Sequence, residues 1–580
     1  MNIINQLPKS VANQIAAGEV IQRPSSIIKE LVENSIDAKA KNIKIIIKDA
    51  GKQSISVIDD GLGMSKEDSI NCFNRHATSK LEKTEDLFKV KTMGFRGEAL
   101  ASIAAVSEVV LKTKSINNKT GHQVILKDSI VTERKEINFQ VGTSITCKNL
   151  FYSVPARRNF LKSNNVELRH IIEEFIRCAI ANYSLNFILI NEEVEVYNLK
   201  SSNLKKRLVS IFKRNYENNL ISCEEKYGGI SIEGYIGKPE NTKKTRGEQY
   251  IYVNNRFIRN GYLNHAIINS YEGLIEDKKF PFYVIFISIN TDLIDINIHP
   301  TKTEIKFEDE KLIYNLVKSS VKKSLEKFNV SPSLDFDADV NFTKNISFLE
   351  SEITSSQNKR SVYSEKRKDW DKIFENVKIE NADKLLFENK DSIENENKPV
   401  QFLENFIFKQ LGEKLLIFNH KNCQQRILFE KYQKNSLSNY SNTQQSLFPQ
   451  YIEFNSPDFK IIEDILEDIR SIGFSIDIFG KNSVVINGIP SGLDDINEKE
   501  IIEGFVEEVK NNNLDLKSQK KDIILKSFSK KARIINSKNL SQTEMNLIID
   551  RLFACENPKY SPDGKQNYIE LGIDKVENLF

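Results

Sequence analysis

Between Ser331 and Pro399 the chain carries no glycine, and Ser, Asn, Lys, Glu and Asp dominate, as in Ser355–Arg367 and Asn389–Lys398. Such a stretch cannot bury enough apolar surface to offset the entropy of ordering it, so it reads as a flexible linker, with Trp370–Phe374 a candidate for a transient helix. This segment constrains the fold more than any other feature, because no core continuous in sequence can cross it. The 580 residues must therefore fold as one globular part before it and another after it. At roughly 150 residues per domain, the length allows about three or four domains.

Composition excludes several classes. Lys plus Arg total 83 against 80 for Asp plus Glu, a formal charge of +3, so this is not a polybasic protein built to coat nucleic acid. A local basic groove stays open, because net charge averages over domains. Cys72, Cys147, Cys178, Cys223, Cys423 and Cys555 are widely separated and form no CxxC pair, which argues against a disulfide framework or zinc knuckle and fits a reducing cytosol. Met1–Gln6 lacks a signal-peptide pattern, and no run of 18 apolar residues occurs, so a cytoplasmic protein without a membrane span is expected.

Residues 1 to about 330 alternate helical and strand patterns. Ile27, Ile28, Leu31 and Val32 have helical spacing within Ser26–Ser35, whereas Ile43–Lys48 and Ser54–Ile58 are β-branched runs separated by the turn Asp49-Ala50-Gly51. Tyr250–Val253 and Tyr283–Ile289 are further strand candidates, and the mixture indicates α/β or α+β architecture. After Gln401 the pattern returns, with Leu415–Phe418 as a strand and Ile461–Ile472 as an amphipathic helix.

The chemistry concentrates in the first part. Glu30 and Asn34 lie four apart within Lys29-Glu30-Leu31-Val32-Glu33-Asn34-Ser35-Ile36-Asp37-Ala38, so one helical face carries both. A carboxylate can polarise a water, and a carboxamide oxygen is a hard ligand for Mg²⁺. The run Val57-Ile58-Asp59-Asp60-Gly61-Leu62-Gly63-Met64 ends a strand in a carboxylate that can accept from an exocyclic amine. Its two glycines let backbone approach a flat ring. Arg75–Lys80 follows, then Gly94-Phe95-Arg96-Gly97-Glu98-Ala99-Leu100, a loop opening into the apolar helix Ala99–Val106 and so a ready anion site. Val141-Gly142-Thr143 starts another strand-like run. Singly, each element has an ordinary explanation as a solvated helix face or a tight turn. No Walker GxxxxGK[ST] is present.

Together, in this order and spacing, these elements resemble the Bergerat-fold ATPases and, within them, the MutL family. Asn13–Val20, Leu31–Ala38, Arg75–Lys80, Gly94–Ser102 and Pro155–Leu161 are each similar to that family's motifs. The resemblance implies an α+β multidomain protein. A Bergerat-fold α/β sandwich ATPase would occupy 1–210 and an S5-like α/β transducer 211–330. A disordered linker over 331–400 would precede an α+β dimerisation domain over 401–580. It implies ATP and Mg²⁺ as cofactors, Glu30 as general base, Asn34 as Mg²⁺ ligand, and Asp59 on the adenine amine with Gly61, Gly63 and Thr143 around the base. Thr78, Ser79 and Lys80 with Gly94, Phe95, Arg96 and Gly97 would form a lid over the phosphates. Lys302, in Ile296-Asn297-Ile298-His299-Pro300-Thr301-Lys302, would reach the γ-phosphate and so favour ATP over ADP. His76 and His299 are not read as metal ligands.

The implied work is DNA mismatch repair, with a MutS-like mismatch-recognition protein as partner, homodimerisation, and association with the nucleoid during repair. DNA would be held through its backbone without sequence preference. Lys243-Lys244-Thr245-Arg246, Asn254–Arg259, Lys205-Lys206-Arg207 and Arg157-Arg158 are the basic candidates. Gln444-Gln445-Ser446-Leu447-Phe448-Pro449 is similar to the pentapeptide with which repair proteins dock into a sliding clamp. Gln444, Leu447 and Phe448 would fill the pocket, and the Ser/Asn stretch Ser436–Thr443 before them should leave the motif accessible.

One departure matters. Many MutL proteins carry a metal-dependent nicking site whose hallmark is an Asp-Gln-His-x-x-x-Glu helix. Here Asn419, Lys421 and Gln425 stand at the Asp, His and Glu positions, Ser561–Gln566 replaces a Cys- and His-bearing element, and another Cys position falls near Phe528. Amides, an ammonium and a phenyl ring cannot ligate Zn²⁺ or Mn²⁺, and Asp563 alone is no site, so no endonuclease is expected. Two other readings are a type II topoisomerase-like ATPase subunit and an ATP-gated structural clamp or chaperone. The first needs an acidic metal domain, and Asp335-Phe336-Asp337-Ala338-Asp339 lies in the polar linker without a flanking apolar strand. DNA-stimulated hydrolysis would separate the second from a repair mediator.

Overall fold

The structure is a computed structural model and describes residues 14, 17–80, 93–94, 97–212, 216–276, 279–295, 305–330, 398–412, 414–437, 443–491, 497–512, 517–532 and 540–572. Met1–Lys327 and Pro399–Phe580 form one unit and Phe328–Lys398 a second. Residues 331–397 of the expected linker, with Trp370–Phe374 and Asp335–Asp339, lie outside the described residues.

The first sheet is eight-stranded, with order β5-β4-β3-β6-β2-β1-β7-β8. Its strands are β1 (Asn42–Lys48), β2 (Ser54–Asp59), β3 (Glu108–Lys114), β4 (Gly121–Lys127), β5 (Ile130–Ile137), β6 (Gly142–Lys148), β7 (Asn186–Asn191) and β8 (Val194–Leu199). Only β1 and β7 pair in parallel. Along β1 every second side chain, Ile43, Ile45 and Ile47, is buried, as a half-buried strand requires. Those side chains share a core with α1 (Pro24–Asp37), through Ile27, Ile28, Leu31 and Val32, and with α3 (Asn164–Ala181), through Ile171, Ile172 and Phe175. The helix α2 (Ala99–Val106) has the expected limits and buries Ile103–Val106.

The second sheet is five-stranded: β9 (Leu220–Tyr227), β10 (Ile230–Gly237), β11 (Gln249–Val253), β12 (Arg256–Ile258) and β13 (Tyr283–Ser288), in the order β12-β11-β13-β10-β9. The helices α4 (Leu204–Phe212), α5 (Gly261–Ser270) and α6 (Glu310–Val330) accompany it. Its core joins Ile232, Ile251 and Ile285 to Leu263 on α5 and to Ile313, Val317 and Val321 on α6. Arg207 corrects the sequence reading. It is wholly buried on α4, where Nη2 donates to the carbonyls of Tyr183 and Lys200, so it anchors the core and is no DNA contact.

After Lys398 two smaller cores form. β14 (Val400–Phe402), β15 (Phe406–Leu411), β16 (Lys414–Asn419) and β20 (Tyr568–Gly572) make a four-stranded sheet. It packs on α7 (His420–Leu437) and α11 (Gln542–Phe553) through Phe418, Cys423, Met545 and Leu552. β17 (Thr443–Glu453), β18 (Ser475–Phe479) and β19 (Ser483–Pro490) make a three-stranded sheet against α8 (Ser456–Ile472), α9 (Glu498–Asn512) and α10 (Lys517–Ala532). Asn455 caps α8 by accepting from the Asp458 amide, and Gly473 ends it in the left-handed region. All six cysteines are free thiols. No helix among the described residues is long and apolar enough to cross a membrane.

Candidate functional site

The apolar stripe of α1 buries one face, and the opposite face presents Glu30, Asn34 and Asp37, all half-buried. The last two converge on one cation. Lys80 Nζ donates to Asn34 Oδ1 at 3.0 Å and to Asp37 Oδ2 at 2.6 Å. The Asp37 carboxylate also accepts from the backbone amides of Met93 and Gly94, each at 3.2 Å. A carboxamide oxygen and a carboxylate gathered around an ammonium form a hard-oxygen environment that suits Mg²⁺. That ion keeps several waters and takes one or two protein oxygens plus phosphate. Glu30, one turn earlier, has no hydrogen-bond partner among the described residues.

A second wall forms where β2 ends. Asp59 Oδ2 accepts from Ser35 Oγ at 2.8 Å and Oδ1 from the Gly61 amide at 2.9 Å. Burial nevertheless raises its pKa above the ordinary carboxylate value, against those hydrogen bonds. Its neighbour Asp60 is spent on structure, taking the Lys41 and Asn42 amides at 2.7 and 2.8 Å and the Asn42 side chain at 2.6 Å. Burial acts to raise the Asp60 pKa too, but those donors outweigh it and the pKa is lowered. Gly63 adopts φ +66°, and a Cβ there would lie 2.0 Å from the Lys114 carbonyl, so only glycine fits. Gly61 passes close to Ala38, where a Cβ would meet the carbonyl at 2.8 Å. Thr143 is buried and stands opposite Asp59 in the β2–β6 register. Its hydroxyl meets Thr113 Oγ1 at 3.1 Å, and Thr113 accepts from the Met64 amide and donates to the Gly142 carbonyl. Ser35, Asp37 and Thr113 are thus site residues that the motif reading did not single out.

The two lid segments touch. The His76 amide donates to the Gly97 carbonyl at 3.0 Å, and Gly97, at φ +62°, leaves no room for a Cβ against the Ala77 carbonyl. The Lys80 amide donates to Thr78 Oγ1, and Gly94 lies beside Lys80 and Asn34. Ser79 sits between Thr78 and Lys80, exposed. Arg256, from the second sheet, donates to the Met93 carbonyl at 2.9 Å and ties that sheet to the lid. Phe95, Arg96 and Lys302 lie outside the described residues, as do Asn13 and His299. Gly18 and Arg157, from two separate motifs, adjoin so closely that a Cβ on Gly18 would collide with the guanidinium.

In the C-terminal part, α7 faces the loop 558–567. Gln425 Nε2 donates to Asp563 Oδ2 at 2.9 Å, Arg426 Nε to the Tyr560 carbonyl at 2.6 Å, and Asn422 Nδ2 to the Gln566 carbonyl at 3.0 Å. Asn419 Oδ1 accepts from the Asn422 amide. His420 is buried against the Glu404 carbonyl, and burial lowers its pKa. Phe528 fills a core position, edge-on to Tyr432 and Phe474. No group of three or more His, Cys, Asp and Glu side chains able to hold a metal ion occurs among the described residues.

Gln444–Pro449 lies inside β17 and not in the open segment its sequence surroundings suggest. The β17–β19 register runs Gln445↔Gly488 and then Gln450↔Ile486, so Ser446–Pro449 bulge out of the ladder. Leu447 is 93% exposed and Phe448 84%. Accessibility therefore comes from the bulge, where Pro449 costs no ladder hydrogen bond.

Comparison with known proteins matches three family descriptions. "Histidine kinase-, DNA gyrase B-, and HSP90-like ATPase" covers residues 22–148, "DNA mismatch repair protein, C-terminal domain" covers 208–326, and "MutL C terminal dimerisation domain" covers 400–540. The chain is 39% identical to the DNA mismatch repair protein MutL of Flavobacterium psychrophilum over 609 residues, spanning 100% of this chain and 99% of that protein. It is also 39% identical to MutL of Christiangramia forsetii over 615 residues, spanning 100% of both. Among solved structures, the Aquifex aeolicus MutL ATPase domain complexed with ADP aligns at 25% identity and a TM-score of 0.37, covering 51% of this chain and 98% of that one.

Proposed function

The chain belongs to the MutL family of DNA mismatch repair proteins, with an ATPase domain and a C-terminal dimerisation domain, and from that premise we propose that it is an ATP-switched repair mediator that does not itself nick DNA. The observation that carries this reading is the convergence of Asn34, Asp37 and Lys80 beside Glu30, with the Asp59–Thr143 wall next to it.

In this reading Asp59 accepts from the adenine amine, and Gly61, Gly63 and Thr143 shape the surface on which the base lies. Asn34, with Asp37 beside it, would hold Mg²⁺, which supplies charge neutralisation for the triphosphate. Lys80 then leaves Asp37 for the phosphates. Thr78, Ser79, Gly94, Phe95, Arg96 and Gly97 close over them, and Lys302 contacts the γ-phosphate. Glu30 takes the proton of the attacking water. Closure drives dimerisation of the N-terminal halves, which clamps DNA in a basic groove. Hydrolysis is slow because the nucleotide chiefly sets conformation.

We place the ATPase domain at 1–210, the transducer at 211–330, the linker at 331–400 and the dimerisation domain at 401–580. The MutS-like sensor recruits the homodimer to the nucleoid, and Leu447 and Phe448, with Gln444, dock a sliding clamp. The loss of the nicking activity is supported by the amides at Asn419 and Gln425 and by Lys421. The test of the whole reading is ATP hydrolysis with and without single-stranded DNA. Wild type should be DNA-stimulated. Glu30→Ala should lose about 100-fold or more in kcat while still binding ATP and dimerising. Normal turnover by Glu30→Ala would overturn the assignment of the base, and indifference to DNA would overturn the mediator reading. At the bulge, Leu447→Ala with Phe448→Ala should abolish clamp capture without lowering the melting temperature, since both side chains are already in water.

A further inference from the structure

The segment between β10 and β11 holds Lys243, Lys244 and Arg246, a basic cluster of the N-terminal part, and it is covered by α9 of the C-terminal part. Lys244 Nζ lies 2.6 Å from Glu500 Oε1. The Arg246 amide donates to Glu507 Oε2 at 3.1 Å, while Lys510 Nζ reaches the Arg246 carbonyl at 2.5 Å and Asp458 Oδ1 at 2.6 Å. Lys243 and Lys244 are among the charges acting on Glu503. Glu500, Glu503 and Glu507 are spaced three and four apart, so they form one acidic row along the helix with about one turn, 5–6 Å, between carboxylates. Beside this row Asn455 reaches Glu248 at 3.0 Å and Tyr197 meets Ser456 at 2.8 Å.

A row of carboxylates along a rod offers the Lys244 ammonium and the Arg246 backbone amide what a nucleic-acid backbone offers, while Lys243 is paired with Glu248 of its own segment and the Arg246 guanidinium lies over Phe280. We propose that the acidic face of α9 is an internal competitor for DNA at Lys243–Arg246, so that the chain alternates between a docked state and a DNA-holding state. The proposal rests on the DNA-clamping reading above and adds to it the surface and its regulation. Three features make the contact reversible. The part that α9 makes consists of hydrogen bonds and ion pairs, of which Lys244–Glu500 is partly open to solvent and weakened by salt, whereas Lys510–Asp458 is buried. The hydrophobic cores on its two sides stay separate. Between them a cavity of about 220 Å³, lined by Lys162, Arg169, Lys460 and Lys520 among others, leaves the faces incompletely packed. Covalent linkage keeps α9 at high effective concentration, so even weak contacts compete with DNA.

The test is zero-length carbodiimide coupling of the full chain at low salt, followed by peptide mass spectrometry and by duplex DNA titration. The expected result is an amide between Lys244 and Glu500 in the single-chain band, lost when duplex DNA saturates the protein. Glu500→Gln with Glu507→Gln should bind DNA about 3- to 10-fold more tightly, the gain expected if docking holds roughly 70–90% of the chain. Glu467→Gln with Glu570→Gln changes the net charge equally away from α9 and should bind as wild type does. The inference is overturned if no Lys244–Glu500 amide forms, if it forms only between copies, if saturating DNA leaves it intact, or if both double variants gain affinity alike. If neither wild type nor the α9 variant binds DNA, the clamping reading itself has failed, and the cross-link reports docking independently of it.

Discussion

Two helix–loop pairs in this chain collect polar groups in the same way and differ in what those groups demand. On α1, Asn34 and Asp37 face the lid and hold the Lys80 ammonium between them. On α7, Asn422 and Gln425 face the loop 558–567, Asn419 just before the helix accepts from the Asn422 amide, and the partners are backbone groups and one carboxylate. A carboxylate only accepts, so Asp37 needs donors from outside its helix, here the Lys80 ammonium and the Met93 and Gly94 amides. An amide both donates and accepts, so a cluster of amides satisfies itself with its neighbours. The first arrangement gathers charge around an ammonium. The second is a weld between a helix and a loop. The difference teaches that amide side chains let a helix and a loop close their hydrogen bonds on each other where carboxylates must draw donors from elsewhere.

The largest expected effect sharpens the C-terminal half of that contrast. Phe528 stands near a position where a nicking relative would carry a cysteine, and here it is a fully buried ring against Tyr432 and Phe474. Phe528→Ala should cost about 3–5 kcal/mol, through lost burial and the cavity left behind. Amide hydrogen exchange over Ile461–Ile472, which shares that core, is the measurement. A variant with unchanged protection would show that the ring is not the keystone of this core.

Next comes a carboxylate-to-amide exchange in the N-terminal part. Asp59→Asn removes the charged acceptor, and nucleotide affinity should fall about 10- to 100-fold, the cost of losing one buried charge-assisted hydrogen bond. Stability should move the other way. Burial raises the Asp59 pKa in the folded chain, so its favourable contribution exists below the unfolded value and disappears as pH rises through the folded one. At neutral pH the ionised side chain therefore weighs against folding, and Asp59→Asn should melt no lower than wild type. A variant that melts lower while keeping its nucleotide affinity would make Asp59 a structural residue like Asp60.

Much of this was legible in the sequence where the governing contacts are local. The limits of α2 and the two strands flanking Asp49–Gly51 follow from apolar period and turn residues. Asp37 was quoted within a motif but given no role, because its partner Lys80 lies 43 residues away and nothing local announces the pair. Arg207 reads as one more surface cation, since sequence does not show that the carbonyls of Tyr183, Leu185 and Lys200 converge on its position. The clamp-like motif was recognised, but its setting was not. A Ser/Asn stretch before it suggests an open loop, whereas the ladder on both sides makes it a bulge.

The smallest expected effect is the one that most directly tests the weld. Asp563 is exposed, and its bond to Gln425 is its one hydrogen bond among the described residues. Asp563→Ala should therefore cost no more than about 1 kcal/mol, the usual worth of such a bond at a surface. The same variant separates weld from site by a second readout. With Mn²⁺ and supercoiled plasmid, wild type and variant should both leave the plasmid intact, because one carboxylate without thiolate, imidazole or a second carboxylate does not hold a catalytic metal. Nicking that tracks the purified protein and survives Asp563→Ala would place a metal site elsewhere. Nicking that disappears with Asp563→Ala would mean that the amides on α7 had not closed this site after all.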